Sequence, residues 1–399
     1  MSMCFCSRAD RFLVYSPCLL LFLRSIYQRT GAFVNGGMLR IIAGSGAVIA
    51  ADQVLLSKKD LINKWGFGIM KGTNKEVKRL IYTVTLNPAR DRTVVIGEFA
   101  AGKVNRIKSF RDDPGGKGIN VSKVIKSLGG HSVAMGILGG STGEYIKTCL
   151  DGMGIENDFV FVKAETRTNI KVFDDVNLVT TDINESGAPV QAETLDKVLK
   201  RILEKAKKGD IVVFAGKIPS GAESDLLYKW IGKLKENGVL SVLDADSNTL
   251  KEGVKAAPML IKPNEIELGE LLGETLDSLE RIYEGARRVM KENGISFVAV
   301  SMGADGALFV TENAAYRAEG LKIEAKSTVG AGDAMAAALA YGIDSGMNEI
   351  DACRLSVASS AAAVMCEGTQ SAHRDMIDAL YKKVVIFEYR PNAKGETSK

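Results

Sequence analysis

The sequence predicts an α/β protein, a three-layer α/β/α domain carrying a small β-sheet lid. Three observations point there. From Leu80 onward, short β-rich runs alternate with helical runs. Runs such as "IVVFAG" and "FVAVSMG" are apolar on both faces, as strands buried between two helical layers must be. Between Asp158 and Ile183 the alternation breaks into successive strands with no helix between them. The 399 residues are 46% hydrophobic and 25% charged, the composition of a globular protein able to bury a sizeable core.

In order, the sheet strands are expected at "IYTVTLN", "VAMGIL", "DIVVFAG", "VLSVLDAD", "MLIKPN", "FVAVSMG" and "GALFVT". The covering helices are expected at Lys117 to Leu128, Glu193 to Lys207, Glu223 to Asn237, Ser278 to Asn293 and Asp333 to Ser345. "DFVFV", "TNIKVF" and "NLVTTDI" read as a small antiparallel sheet inserted into the domain. Such an insertion suits a lid over the carboxyl ends of the main strands, where open α/β sheets bind ligands. The lid strands are expected around 93–110 and 158–183, within one domain spanning 80–388, and 389–399 is a polar tail.

Residues 1–79 stand apart. They carry twelve Lys and Arg against four Asp and Glu, so the net charge of +4 leaves the body mildly acidic, which argues against a nucleic-acid surface. The run "FLVYSPCLLLFL" has the length of a signal-peptide core, but no small-residue cleavage site closes it before Arg24 and Arg29. It is too short for a membrane span. The expectation is an N-terminal extension outside the functional protein, which would start near Met70. Cys4, Cys6 and Cys18 crowd that extension, whereas Cys149, Cys353 and Cys366 are scattered in apolar contexts. With only His131 and His373 beside them, no zinc spacing exists, and the thiols read as reduced and the body as cytoplasmic.

Chemistry concentrates at two glycine clusters. "STVGAGDAM", Ser327 to Met335, sets two glycines and Asp333 at the mouth of an apolar helix. Unpaired amides and the positive dipole end make an anion site there. A carboxylate beside it would repel the anion unless it has a task requiring closeness, such as taking a proton; the plain alternative is a helix-start residue. "DPGGKGINVSK", Asp113 to Lys123, also opens a helix and adds Lys117 and Asn120, able to meet a phosphate and sugar hydroxyls. Neither cluster has the dinucleotide or P-loop spacing. In "KPNEIELGEL", Asn264 and Glu267 share a face of an opening helix, as hard oxygen donors around Mg²⁺ could, though Glu-rich surface helices are common. "SMGADG", Ser301 to Gly306, is either a hairpin or a nucleotide-phosphate contact. In "TRTNIKV", Arg167, Asn169 and Lys171 lie two apart, so a strand turns all three to one face.

Taken together, "TLNPARDRT", "GGKGIN", "TRTNIKV", "KPNEIE", "SMGADG" and "TVGAGD" resemble, in order and spacing, the ribokinase-like (PfkB) carbohydrate kinases, most of all their 1-phosphofructokinase and tagatose-6-phosphate kinase branch. The resemblance covers roughly Leu80 to Ile386. It implies Asp333 as catalytic base, with the amides of Gly330, Ala331 and Gly332 holding the transferring phosphoryl group. Asp91, Gly115, Gly116 and Asn120 would grip sugar hydroxyls. Arg106, Lys117, Arg167 and Lys171, with Asn169 beside them, would meet the substrate's own phosphate. ATP would lie along Ser301, Met302, Gly303, Ala304, Asp305 and Gly306 and along Thr328, Gly332 and Asp333, and Asn264 with Glu267 would organise Mg²⁺. Two departures are Arg90, where an apolar residue is expected, and Lys217 in "GKIPSG". The expected reaction is ATP-dependent phosphorylation of D-fructose 1-phosphate to fructose 1,6-bisphosphate, with tagatose 6-phosphate or fructose 6-phosphate as alternative acceptors. A non-catalytic sugar-phosphate sensor is the rival from another class. No nucleic acid or membrane partner is expected; a homodimer paired through the lid is.

Overall fold

The computed structural model describes residues 79–391, and before them only the strand fragments Ile41–Ile42 and Val48–Ile49. The chain divides into Met1–Gly72 and Thr73–Lys399, and the second unit is the one described below. Apart from those fragments and Arg79, the expected extension lies outside the described residues, as does the tail beyond Pro391.

In chain order, β1 (Ile81–Thr85) runs through the core and leads to β2 (Ala89–Ile96) and β3 (Ile107–Gly115). Then come α1 (Lys117–Ser127), β4 (Ser132–Gly139), α2 (Gly140–Gly152) and β5 (Glu156–Val162), followed by β6 (Arg167–Asp174) and β7 (Val179–Asn184). Regular alternation follows through α3 (Ala192–Lys205), β8 (Ile211–Ala215), α4 (Leu226–Glu236), β9 (Leu240–Asp244), α5 (Ser247–Gly253), β10 (Leu260–Ile261), α6 (Glu265–Leu272) and α7 (Leu279–Asn293). Strands β11 (Phe297–Ser301), β12 (Gly306–Thr311) and β13 (Ala315–Glu319) meander antiparallel. Helices α8 (Ala331–Asp344), α9 (Glu349–Val364) and α10 (Arg374–Tyr381) precede the edge strand β14 (Ile386–Glu388).

The ten-stranded main sheet has the order β14-β13-β12-β11-β10-β9-β8-β1-β4-β5, parallel from β11 to β5. Alternate residues of its strands feed two cores. Tyr82, Val212 and Phe214 pack with α3, α4 and α7 through Val198, Trp230 and Val289. Ile81, Ile211 and Val213 pack with α1, α8 and α9 through Ile125, Ala337 and Ala358. Alanines 334, 336–338 and 340 are fully buried, and side chains that small let α8 pack closely. This is the expected three-layer arrangement.

The lid is a separate four-stranded sheet, β3-β2-β6-β7. It differs from expectation in three ways. It begins at Ala89 rather than near 93, its central pair β2–β6 is parallel, and "DFVFV" is not in it. That segment is β5, paired in the main sheet with β4. The reason lies in its consecutive apolar residues: Phe159 packs against Ile119, Leu138 and Ile146, while neighbouring Val160 faces the opposite core. A one-sided lid cannot bury both faces of a strand.

Candidate active site

A cleft of about 500 Å³ lies between the lid and the carboxyl ends of β9, β10 and β11. Asp333 stands on the first turn of α8 and is 5% exposed. Its Oδ2 accepts a 2.8 Å hydrogen bond from Asn120 Nδ2 on α1, so both glycine clusters converge on one carboxylate. Burial raises its pKa to about 6, helped by the Asp244 charge and opposed by Lys117, Asn120 and Lys262. The carboxylate is therefore ionised at neutral pH yet basic enough to accept a proton.

Glycine caps both helices. Gly116 (φ 117) and Gly330 (φ 85) are the N-caps of α1 and α8, and neither helix has a side-chain cap. A Cβ on Gly116 would sit 2.7 Å from Thr85 Cγ2, so only glycine fits there. A Cβ on Gly115 would lie 2.1 Å from Asp91 Oδ2, which shows how closely the Asp91 carboxylate approaches this loop. Asp91 Oδ1 accepts from Asn169 Nδ2 at 2.9 Å. Burial raises the Asp91 pKa, against the pull of Asn169, Lys123, Arg167 and Lys171.

Arg167, Asn169 and Lys171 all line the cleft, as does Ile170 between them. Arg167 Nη1 donates to Asn169 Oδ1 (3.0 Å) and Glu185 O (2.9 Å), and Nη2 to Asn87 O (3.2 Å), so the guanidinium is held in place before any ligand arrives. Lys171 lies 3.8 Å from Asp182. Gly116, Lys117, Asn120, Ser301, Thr328, Gly330, Gly332 and Asp333 also line the cleft. The lining omits Gly115, Arg106, Ala331 and Met302 to Gly306. Arg106 is exposed just before β3, on the lid rather than in the cleft, and Gly303–Asp305 forms a 3-10 turn beyond Ser301.

Asn264 and Glu267 line the cleft and also satisfy one another. Asn264 Oδ1 accepts from Glu267 N (2.7 Å) and Glu267 Oε2 from Asn264 N (2.9 Å), a capping box on α6. Two further residues escaped the sequence reading. Asp244, 1% exposed at the end of β9, faces Lys262 Nζ at 3.4 Å and Lys117 Nζ at 3.5 Å through one oxygen, and its Oδ2 has no partner. Burial opposes its ionisation, but the two lysines outweigh that and hold its pKa below the usual value. Asp244 in turn holds the Lys117 ammonium well above its ordinary pKa. Lys262, 5% exposed, places Nζ 3.0 Å from where a Cβ on Gly332 would be, so it sits at the mouth of α8. A charged residue ending or following an apolar strand, as in "VLDAD" and "LIKPN", was the signal available for both.

The model of the pfkB family carbohydrate kinases matches residues 84–376. This chain belongs to the pfkB family. Curated relatives in that family include the 1-phosphofructokinase of Bacillus subtilis, 38% identical over 288 residues, 72% of this chain and 93% of the relative. The 1-phosphofructokinase of Borreliella burgdorferi is 37% identical over 287 residues, 72% and 92% of the two chains. Among solved structures, phosphofructokinase-2 of Escherichia coli in complex with potassium superposes with a TM-score of 0.74 at 27% identity, covering 76% of this chain and 99% of its own. Its tetrameric inhibited form gives 0.72 at 26% identity, covering 76% and 99%. The pfkB match falls inside the second unit, where all the cleft residues lie.

Proposed function

We propose that this pfkB kinase transfers the γ-phosphoryl group of ATP to D-fructose 1-phosphate, giving fructose 1,6-bisphosphate and ADP. The observation that carries the reading is the buried Asp333 carboxylate, joined to Asn120 and set beside the uncapped start of α8. Asp333 accepts the proton of the acceptor hydroxyl as its oxygen bonds to the γ-phosphorus. The bond to the bridging oxygen breaks and ADP leaves with the electron pair. Free amides at the start of α8, with Lys262 and Lys117, compensate charge on the group in flight. Lys117, Arg167 and Lys171 favour an acceptor that already carries a phosphate, and Asp91 with Asn169 accepts and donates hydrogen bonds to its hydroxyls. Curated relatives named 1-phosphofructokinase support fructose 1-phosphate over tagatose 6-phosphate and fructose 6-phosphate.

The donor set suits Mg²⁺: Asp244 Oδ2 is a buried carboxylate oxygen with no partner, and Glu267 adds a second carboxylate on the cleft wall. When bound, the ion supplies charge compensation at the nucleotide phosphates. The Asn264 backbone N–H holds the Glu267 carboxylate in place through the capping box. Ser301 and Thr328 mark the ATP side of the cleft.

A homodimer through the lid belongs to the same reading. Strand register puts Phe110, Ile170 and Ile183 on one lid face, opposite to Asp91 and Asn169, and they are 63%, 36% and 51% exposed. Burying such a face against a second copy is favourable. Among the described residues no helix is long and apolar enough to cross a membrane.

The test is ADP release by the purified protein with fructose 1-phosphate, fructose 6-phosphate and tagatose 6-phosphate. We expect the highest kcat/KM for fructose 1-phosphate. Binding of sugar phosphate without ADP release would favour a sensor.

A further inference from the structure

The loop after α9 contributes Gly368 and Thr369 to the cleft, and two cations fasten it. Lys123, on α1 and 6% exposed, donates from Nζ to Pro114 O (3.1 Å) and to Thr369 O (2.7 Å). Arg111, on β3, donates from Nε to Asp113 Oδ2 (2.9 Å), from Nη1 to Glu367 Oε2 (3.2 Å) and from Nη2 to Glu367 O (3.2 Å). Each cation thus joins the same two segments. One is Asp113–Pro114, which leads into the Gly115–Gly116 loop; the other is Glu367–Thr369. Between these anchors Gly368 has φ +59, and a Cβ on it would lie 2.9 Å from Arg111 Nη2.

We propose that Lys123 and Arg111 are positioning residues for the acceptor, holding the Gly115–Gly116 loop and the Gly368–Thr369 loop at a fixed separation across its half of the cleft. Burying an ammonium is costly, and an apolar side chain would pack α1 without that cost. Two carbonyl acceptors offset it here, and the Asp113, Asp91 and Asp333 carboxylates oppose the downward pull of burial on the lysine's pKa. Two of those carboxylates, Asp91 and Asp333, belong to the cleft itself. Loss of either cation frees one loop from the other, so the acceptor meets a wider, less ordered site. The nucleotide side is untouched, because none of these bonds reaches Ser301, Asn264 or Glu267.

The inference rests on the acceptor reading above and is tested in the same assay. Lys123→Met should raise KM for fructose 1-phosphate roughly tenfold, and Arg111→Met about three- to fivefold, with KM for ATP changed less than about twofold. Lys123→Arg and Arg111→Lys should recover part of the loss, because each still donates to carbonyl oxygens. A merely structural role would lower the melting temperature and the active fraction without this division between the two KM values. Should Lys123→Met fail to fold, Arg111→Met and Arg111→Lys decide, since Arg111 is only partly buried. Unchanged KM for the sugar phosphate, or equal weakening for both substrates, overturns the proposal while leaving the kinase reading intact. A wild-type protein that turns over none of the three ketohexose phosphates overturns both.

Discussion

Three helices start at the wall of the cleft, and they treat their first amides in two ways. α1 and α8 begin at glycines in positive-φ conformations and bring no side chain to their free N–H groups. α6 begins with Asn264 and Glu267 closing a capping box on each other. Any helix leaves its first amides without intrahelical partners, and a side chain normally satisfies them. Where α1 and α8 leave them open, a ligand oxygen completes the helix. Where α6 closes its own, only outward carboxylate oxygen remains, which suits a cation. Under the proposed reading, the same structural element would serve an anion at two places and a metal at a third.

The largest expected effect is at the carboxylate between the open starts. Asp333→Asn should lower turnover by at least about 10²-fold while leaving sugar-phosphate binding largely intact. It should also raise the melting temperature at pH 8. The folded pKa of Asp333, about 6, lies above its ordinary 3.8, so its contribution to stability is full below about pH 4 and lost as pH rises through about 6. Asparagine keeps the Asn120 contact without a buried charge. Near-normal turnover in this variant would contradict the role of base.

Next comes the acceptor wall. Arg167→Ala should raise KM for fructose 1-phosphate roughly ten- to a hundredfold with little change for ATP, and Arg167→Lys should recover only part, since lysine lacks the bidentate fork. Equal effects on both substrates would remove Arg167 from the acceptor side. The closed helix start offers a sharper division. Asn264→Ser retains a good N-cap and the backbone N–H that holds the Glu267 carboxylate, so the melting temperature should stay within a few degrees, whereas turnover at limiting Mg²⁺ should drop if the side-chain amide itself serves the ion. Turnover equal to wild type at every Mg²⁺ concentration would reduce Asn264 to a cap.

The smallest effects concern the glycines. Gly330→Ala meets no atom within 4 Å and should cost only the left-handed backbone strain, about 1–2 kcal/mol. Gly116→Ala adds a collision with Thr85 Cγ2 at 2.7 Å and should cost more. Denaturant unfolding of the two variants checks the order.

The sheet and its central helices were legible in the sequence because apolar runs and helix period dominate there. The lid was legible only in outline. Its strands alternate weakly, and "DFVFV" looked like one of them until the two faces of Phe159 and Val160 had to be filled by two cores. α2, α5, α9 and α10 were not anticipated; α9 is rich in alanine and serine, which give little amphipathic contrast. Gly115, Ala331 and Met302 to Gly306 of the glycine-led motifs are not in the cleft lining, but Gly116, Lys117, Asn120, Gly330, Gly332 and Asp333 line it and were anticipated, since glycine marks a backbone requirement. Asp244, Lys262, Lys123 and Arg111 were not anticipated, because their roles depend on partners between 2 and 256 positions away along the chain, as with Arg111–Asp113 and Arg111–Glu367. Arg106 carried the right charge but lies on the lid, outside the cleft.

The most direct measurement is the ratio of kcat/KM for fructose 1-phosphate between wild type and Asp333→Asn as a function of pH. The substrate's own phosphate titrates near pH 6, and taking the ratio cancels it. If Asp333 is the base, wild type loses its advantage as the carboxylate is protonated. The ratio should then be level above about pH 7 and fall about tenfold per unit below the pKa of about 6. A ratio constant from pH 5 to 8 would contradict proton transfer to Asp333.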